Sequence, residues 1–461
     1  MKTKLLKIFF KIIWRLAHKY VSKRPVTVVG VTWSVGKTSA RMAIYASLKK
    51  LLKDKNVYTP FKNYNWELGL SLAVLELEDY TPTIAGAFKT LIKAVFKALV
   101  DKPWYDIVVL EYGIDHIGEM DFMLSVVKPD FGVLTLIDKV HAQYLSDPDI
   151  IADEKYKMIF ASQQAVFLNW EDSYAHSANV EVNRFWFLTR PKEIVDQDLI
   201  KKVDICFEGY KLQSDFKASA KVCIKNQQVK VLTDVIAPEI FAYIGIGLAI
   251  GDILHYRDTK HSLLNSTLKE LELSIPLLGG RSTILKGINQ SIVIDSTYNA
   301  APASMKKMIQ LGNFLKTNFM PDKKVLLLLG DMRELGDFEE SEHRQLAWVI
   351  SQVADAVVLV GPKMKQYLID ELQKIDFVGR EGEYPVVKRF CSAPKAGEWI
   401  KQFLTNSKDK WLILAKGSQN TIFLEEALKY FIQPQEQKKL VRQDQHWLEV
   451  KQNYFKKLGD C

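Results

Sequence analysis

Gly30-Val-Thr-Trp-Ser-Val-Gly-Lys-Thr38 follows the β-branched run Val26 to Val29 and opens a helical stretch from Lys37 to about Leu52. A turn of this kind between a strand and a helix offers backbone N–H groups, and the positive end of the helix dipole, to phosphate oxygens. Lys37 would reach the terminal phosphates of a nucleotide, and the Thr38 hydroxyl would ligate Mg2+. The expected nucleotide-binding residues here are Gly30, Thr32, Ser34, Val35, Gly36, Lys37, Thr38 and Ser39. Five residues separate Gly30 from Gly36, one more than in the strict phosphate-loop spacing, so the flanking strand and helix carry the assignment.

Outward from this loop the pattern alternates strand and helix. Asp106 to Tyr112, Phe131 to Ile137 and Ala165 to Asn169 read as buried strands, each ending beside polar residues. Residues 180 to 235 read as shorter, more polar strands, and an apolar helix follows from about Pro238 to Leu254. A Gly-Gly-Arg turn at 279–281 marks a boundary. Beyond it, strand-like runs recur at Ser291 to Asp295, Val325 to Leu329, Ala356 to Val360 and Trp411 to Ala415. The fold class is therefore α/β: a central phosphate-loop domain over 25–276 with a mostly parallel sheet, then a Rossmann-like α/β domain over 277–461.

The 461 residues exceed one ordinary core. An apolar content of 48% with 25% charged residues is that of a folded soluble chain, and the net charge of +9 suits anionic partners without choosing among them. Cys206, Cys223, Cys391 and Cys461 are scattered and suggest neither a zinc site nor a disulfide framework, which fits a reducing cytoplasm. No uninterrupted apolar run is long enough to span a bilayer.

Residues 1–24 stand apart. Leu5, Ile8, Phe9, Ile12, Ile13, Leu16 and Tyr20 recur at helical spacing, with Lys2, Lys4, Lys7, Lys11, Arg15 and Lys19 interleaved. Charges scattered through the apolar positions describe an amphipathic helix rather than a secretory signal. Such a helix packs on the protein's own body or docks, through residues 1–22, on the anionic inner face of a membrane. Ala87 to Val100 is a second basic, apolar stretch.

Several further segments, taken with the loop, resemble the Mur ligase family, and in particular its branch that adds D-alanyl-D-alanine. The loop fits that family's G-x-T-G-[ST]-[NS]-G-K-T, with Trp33 and Val35 as departures. Asn63 to Gly69 (NYNWELG), Glu111 to Met120 (EYGIDHIGEM), Thr135 to His141 (TLIDKVH), Ile151 to Lys157 (IADEKYK) and Asn169 to Asp172 (NWED) follow in the family's order. So do Gly280-Arg281, Asp295 to Pro302 (DSTYNAAP), Gly330 to Gly336 (GDMRELG) and Lys416-Gly-Ser418. Ser296, Ala301 and Gln419 depart from the pattern.

The resemblance implies an ATP-dependent, Mg2+-requiring ligase acting on a UDP-MurNAc-peptide and D-Ala-D-Ala, monomeric, with no nucleic-acid partner. A glutamate ending a buried strand beside a phosphate loop is a hard oxygen ligand for Mg2+. Glu111 therefore joins Thr38 as an expected ligand of one ion, while His141 and Lys155 are implied for a second. Lys155 would act as a carbamate, an anion made from a neutral amine and CO2, with Lys157 the alternative if the register shifts by two. Lys37, Glu111, His141 and Lys155 are the implied catalytic set. Asn169, Arg281 and Asp295 are implied to contact the nucleotide, and Asn65, Asp115, His116, Tyr298, Asn299, Lys416 and Ser418 the other substrates. The family usually begins with a separate domain for UDP, for which the roughly 24 residues before the first strand are too few. Two rival expectations are a folylpolyglutamate-type or other amide ligase of the same superfamily, and a nucleotide-binding scaffold without turnover.

Overall fold

The computed structural model describes residues 2–32, 36–61, 67–77, 80, 83–114, 116–136, 148–264, 268–375 and 385–458. Two compact units divide the chain, the first running to Pro276 and the second from Leu277.

The first unit opens with helix α1 (Lys2–Val21), then strand β1 (Thr27–Thr32), α2 (Lys37–Leu51), β2 (Val57–Tyr58), α3 (Glu67–Val74), α4 (Ile84–Leu99), β3 (Ile107–Tyr112), α5 (Glu119–Val126), β4 (Phe131–Leu134), α6 (Pro148–Ala161) and β5 (Ala165–Asn169). β6 (Asn183–Phe187), β7 (Ile205–Leu212), β8 (Ala218–Ile224), β9 (Gln227–Thr233) and β10 (Glu270–Leu273) complete one ten-stranded sheet. Its order is β10-β9-β8-β7-β6-β5-β4-β1-β3-β2. Pairings from β2 to β7 are parallel, those of β7 with β8 and β8 with β9 antiparallel, and β10 joins β9 parallel.

β1 and β3 are interior strands of the parallel part, each paired on both sides. They read as continuous runs, TVVGVT and IVVLEY, rather than alternating ones because both faces are buried. Helix Ile240–Thr259 covers α2 from outside and is apolar nearly all round. A Cβ on Gly247 would come 2.6 Å from the Ser47 Cβ, and one on Gly251 would come 2.5 Å from Leu51 Cδ2, so the two helices approach as closely as glycine allows.

α1 packs against α3, α4 and α5 through Ile13, Ala17 and Tyr20, all fully enclosed. Tyr20 donates to Glu76 at 2.7 Å, and His18 Nδ1 lies 2.9 Å from the Val126 carbonyl. No described helix is long and apolar enough to cross a membrane. Cys206 and Cys223, far apart in sequence, are register partners across β7 and β8 and are free thiols.

The second unit holds a six-stranded sheet built from β11 (Thr283–Lys286), β12 (Ile292–Ser296), β13 (Lys323–Gly330), β14 (Ala356–Val360), β15 (Val386–Phe390) and β16 (Lys410–Lys416). The order is β11-β12-β16-β13-β14-β15, parallel except for β11. Helices Pro302–Asn318 and Ala393–Asn406 supply packing layers, and Trp411, Leu428 and Phe431 sit in the core between the sheet and Ala393–Asn406.

Candidate active site

β1 delivers the loop to the carboxyl edge of the first sheet. Gly30 lies inside the strand, where a Cβ would meet Tyr112, Pro129 and Met158 at 3.0–3.1 Å, so packing already accounts for this glycine. The Thr32 hydroxyl is likewise engaged by structure, donating to the Tyr112 carbonyl at 2.6 Å. Gly36 caps α2 at φ +90°, a left-handed conformation that glycine adopts without strain. A Cβ there would sit 2.7 Å from the Tyr243 hydroxyl and 3.7 Å from Thr135 Oγ1. Thr38 is buried in the first turn of α2, with Lys37 and Ser39 half-buried beside it. The loop thus ends at a helix N-terminus whose N–H groups carry partial positive charge.

Glu111 stands level with Val31 in the β1–β3 register, at the same edge. Its carboxylate accepts from Arg41 Nε at 2.8 Å, and both side chains are almost wholly enclosed. Arg41 also donates to Thr59 Oγ1 at 2.7 Å and to the Pro60 carbonyl. Arg41, four residues after Lys37, belongs to none of the sequence motifs. It fixes the orientation of the carboxylate expected to hold a cation.

Lys155 lies on α6 and is 1% exposed, whereas Lys157 reaches the surface and bridges Asp121 at 2.6 Å and Glu154 at 2.7 Å. Met158, one turn after Lys155, touches the Gly30 position. α6 runs antiparallel to the strands, and one turn back covers about 5 Å, or roughly one and a half strand residues. Lys155 therefore stands level with the end of β1. Hydrogen bonds that Lys157 donates to Asp121 and Glu154 raise its pKa, which works against the neutral amine that carbamylation needs. Glu154 Oε1 also accepts from the Gly118 and Met120 amides at 2.8 and 3.1 Å, tying α6 to the turn before α5.

Other expected residues hold structural bonds. Asn169 donates to the Thr135 carbonyl at 2.7 Å and accepts from the Glu171 amide at 3.1 Å, so its amide spans β4 and the turn after β5. His116 is exposed and pairs with Glu119 at 3.1 Å. Ser34, Val35, Asn65, Asp115 and His141 lie outside the described residues.

In the second unit, Asp295 lies next to last in β12 and is fully buried. One carboxylate oxygen accepts from the Thr297 amide and hydroxyl at 2.9 and 2.6 Å, and the other is enclosed with no hydrogen-bond partner. Burial pushes its pKa up to about 6. The Arg281 guanidinium lies 4.1 Å from the centre of the Tyr298 ring, and the Tyr298 amide donates to the Gly280 carbonyl at 3.0 Å. Lys416 donates to the Asn299 carbonyl at 2.9 Å, and Ser418 to the Ala300 carbonyl at 3.3 Å. These residues share one strand edge of the second sheet. Arg442, absent from every motif, grips the same segment: it donates to the Thr297 and Tyr298 carbonyls at 2.9 and 3.1 Å and holds both Glu425 oxygens at 2.8 Å.

Thr38 and Glu111 offer hard oxygen donors at the loop, a set suited to Mg2+. Among the described residues no three His, Cys, Asp or Glu side chains form a ready metal cluster, so a second ion would need Lys155 as an anion and a contribution from beyond those residues.

Residues 31–226 match the Mur ligase middle domain, and residues 280–419 match the Mur ligase glutamate ligase domain. The UDP-N-acetylmuramoyl-tripeptide–D-alanyl-D-alanine ligase of Borreliella burgdorferi is 23% identical over 415 residues, covering 89% of this chain and 75% of that protein. The ligase of the same name from Bacillus subtilis is 25% identical over 424 residues, covering 91% and 79%. The crystal structure of MurF ligase from Thermotoga maritima in complex with ADP superposes with a TM-score of 0.66 at 19% identity, covering 91% of this chain and 83% of that one, a likeness of fold.

Proposed function

Because the chain belongs to the Mur ligase family, carrying both its middle and its glutamate ligase domains, we propose that it is an ATP-dependent ligase joining D-alanyl-D-alanine to a UDP-MurNAc-tripeptide. The observation that carries this reading is the edge of the first sheet. In its support, a glycine-capped helix follows β1, the Arg41-held carboxylate of Glu111 lies on the adjacent β3, and the buried Lys155 lies one turn from Met158, which meets the Gly30 position.

The reaction runs in two steps. The tripeptide's terminal carboxylate attacks the γ-phosphorus of ATP in line, forming an acyl phosphate as the bond to ADP breaks. The amine of D-alanyl-D-alanine then attacks the acyl carbon, phosphate leaves and the amine loses a proton. Lys37 and the amides at the start of α2 bind and orient the triphosphate. Thr38 and Glu111 would hold one Mg2+, and His141 with carbamylated Lys155 a second. Bound there, the ions neutralise charge on the triphosphate and the transferring group. Arg41 keeps Glu111 aimed.

The test is product mass spectrometry after incubation with ATP, UDP-MurNAc-tripeptide and D-Ala-D-Ala, with phosphate release measured in parallel. The expected result is a product heavier by the dipeptide less one water, with phosphate release requiring both acyl substrate and amine. Phosphate release indifferent to the amine, with no ligated product, would replace the ligase reading by that of a nucleotide-driven scaffold. Turnover with a different acyl substrate alone would move the chain to another amide ligase of the superfamily.

A further inference from the structure

Helix α4 presents two unlike faces. Thr90, Ala94 and Ala98 turn inward, and the helix lies against α1. On the other side Ile84, Phe88, Ile92, Val95, Phe96 and Leu99 are 88, 65, 55, 37, 58 and 59% exposed. At the helical advance of ~100° per residue, these six fall within one arc of about 120°. Lys89 and Lys93, both exposed, border that arc, and α4 contains no acidic residue. The neighbouring α1 contains none either, and it exposes Ile8 and Ile12 together with Lys11 and Arg15. Trp104, just beyond the end of α4, is half exposed.

An uncovered apolar arc of this length marks a docking surface. Its border names the occupant. A second copy of the chain would bring lysine rows against lysine rows, whereas an anionic lipid surface complements them. A single convex helix with an apolar arc, a basic margin and a tryptophan at one end has the make-up of a helix lying in the headgroup plane.

We propose that α4, with the exposed part of α1 beside it, docks the chain on an anionic lipid bilayer, with Phe88 and Phe96 entering the acyl boundary. The sequence offered residues 1–22 for such a contact, beside packing on the protein's own body. α1 buries Ile13, Ala17 and Tyr20, whereas α4 buries only Thr90, Ala94 and Ala98, so the larger uncovered apolar face is that of α4. The inference stands apart from the ligase reading, since it uses no residue of the nucleotide site.

The experiment is co-sedimentation of the full chain with vesicles of phosphatidylcholine alone or mixed with phosphatidylglycerol, at low and high salt. Binding to the mixed vesicles is expected at low salt, weakening roughly tenfold or more on neutral vesicles or at high salt. Phe88→Ser with Phe96→Ser should lower it by a similar factor while leaving the far-ultraviolet spectrum and nucleotide binding in solution unchanged. Equal binding to neutral and anionic vesicles, or no effect of the double variant, overturns the proposal. So does a concentration-dependent dimer that the same variant abolishes, which would assign the face to a second copy.

Discussion

Arg41 Nε donates to Glu111 Oε1 at 2.8 Å, joining the phosphate-loop helix to the neighbouring strand through a pair that solvent scarcely reaches. A buried ion pair adds little net stability over an apolar substitute, but breaking it leaves a charge without compensation. Arg41→Met is therefore expected to destabilise the first unit by about 3–5 kcal/mol, read by urea denaturation. Glu111→Gln keeps a carbonyl acceptor for Arg41 but leaves the guanidinium charge unbalanced, so it should also lose stability while lowering ligation by ~100-fold or more in the protein that remains folded. Ligation within a few-fold of the parent in folded Glu111→Gln would assign Glu111 to the fold rather than the reaction.

The contrast between Lys155 and Lys157 gives a second prediction. Lys155→Ala should lower ligation by ~100-fold or more and be partly restored by a short-chain carboxylic acid, which replaces the missing anion. Lys157→Ala removes only a surface bridge to Asp121 and Glu154 and should stay within a few-fold of the parent. Steady-state rates with and without acetate separate the two. Full activity in Lys155→Ala would remove the carbamate from the mechanism.

His343 fixes the loop after β13. Its Nε2 accepts from the Met332 amide at 3.1 Å, so Nδ1 carries the proton and donates to the Glu339 carbonyl at 2.6 Å. Burial lowers its pKa below the ordinary histidine range. A lowered folded-state pKa means that the unfolded chain binds the proton more readily, so this contribution is present above about pH 6.5 and is lost as pH falls. Asp295 and Asp331, both pushed up to about 6 by burial, act in the opposite sense, since protonation relieves their desolvation. Comparing the parent with His343→Gln across pH 5 to 8 isolates the imidazole: the gap in unfolding free energy should narrow on acidification. A gap that widens towards pH 5 refutes the neutral assignment.

Arg442 connects Glu425 to the carbonyls of Thr297 and Tyr298, and Lys451 donates to Glu425, Glu426 and the Arg442 carbonyl. Arg442→Met should cost about 3–5 kcal/mol in the second unit by denaturant titration. Arg442→Lys keeps the charge but not the two-pronged grip, so it should recover only part of the loss.

Strand and helix positions were legible where burial is symmetrical. Ala165–Asn169 and Ala356–Val360 appear at the residues expected, because apolar runs of that length bounded by polar residues have few alternatives. The strand from Phe131 stops at Leu134, short of the reading, since Thr135 and Leu136 make no ladder pairing. The strand and glycine-capped helix that flank the loop, and the place of Glu111 near the end of a buried strand, were legible because their signals are local. Arg41 was not: α2 is buried almost all round and shows no polar face against which an inward arginine would stand out. Lys155 and Lys157 differ by two positions on one helix, a choice that only packing makes. Arg442 meets partners 17 and 145 residues away, and no spacing rule reaches that far.

The ten-stranded sheet also dictates an order of assembly. Thr32 bonds to Tyr112 across 80 residues, and Val28 to Asp130 across 102, whereas β8 and β9 meet through a tight hairpin. Chain closure over such spans is slow compared with hairpin formation. During synthesis β1 therefore emerges early and waits with both ladder edges bare until β3 and β4 have left the ribosome. The strand that carries the nucleotide loop is thus the one most exposed to wrong partners before folding ends, and a chaperone's benefit to this chain should concentrate on that interval.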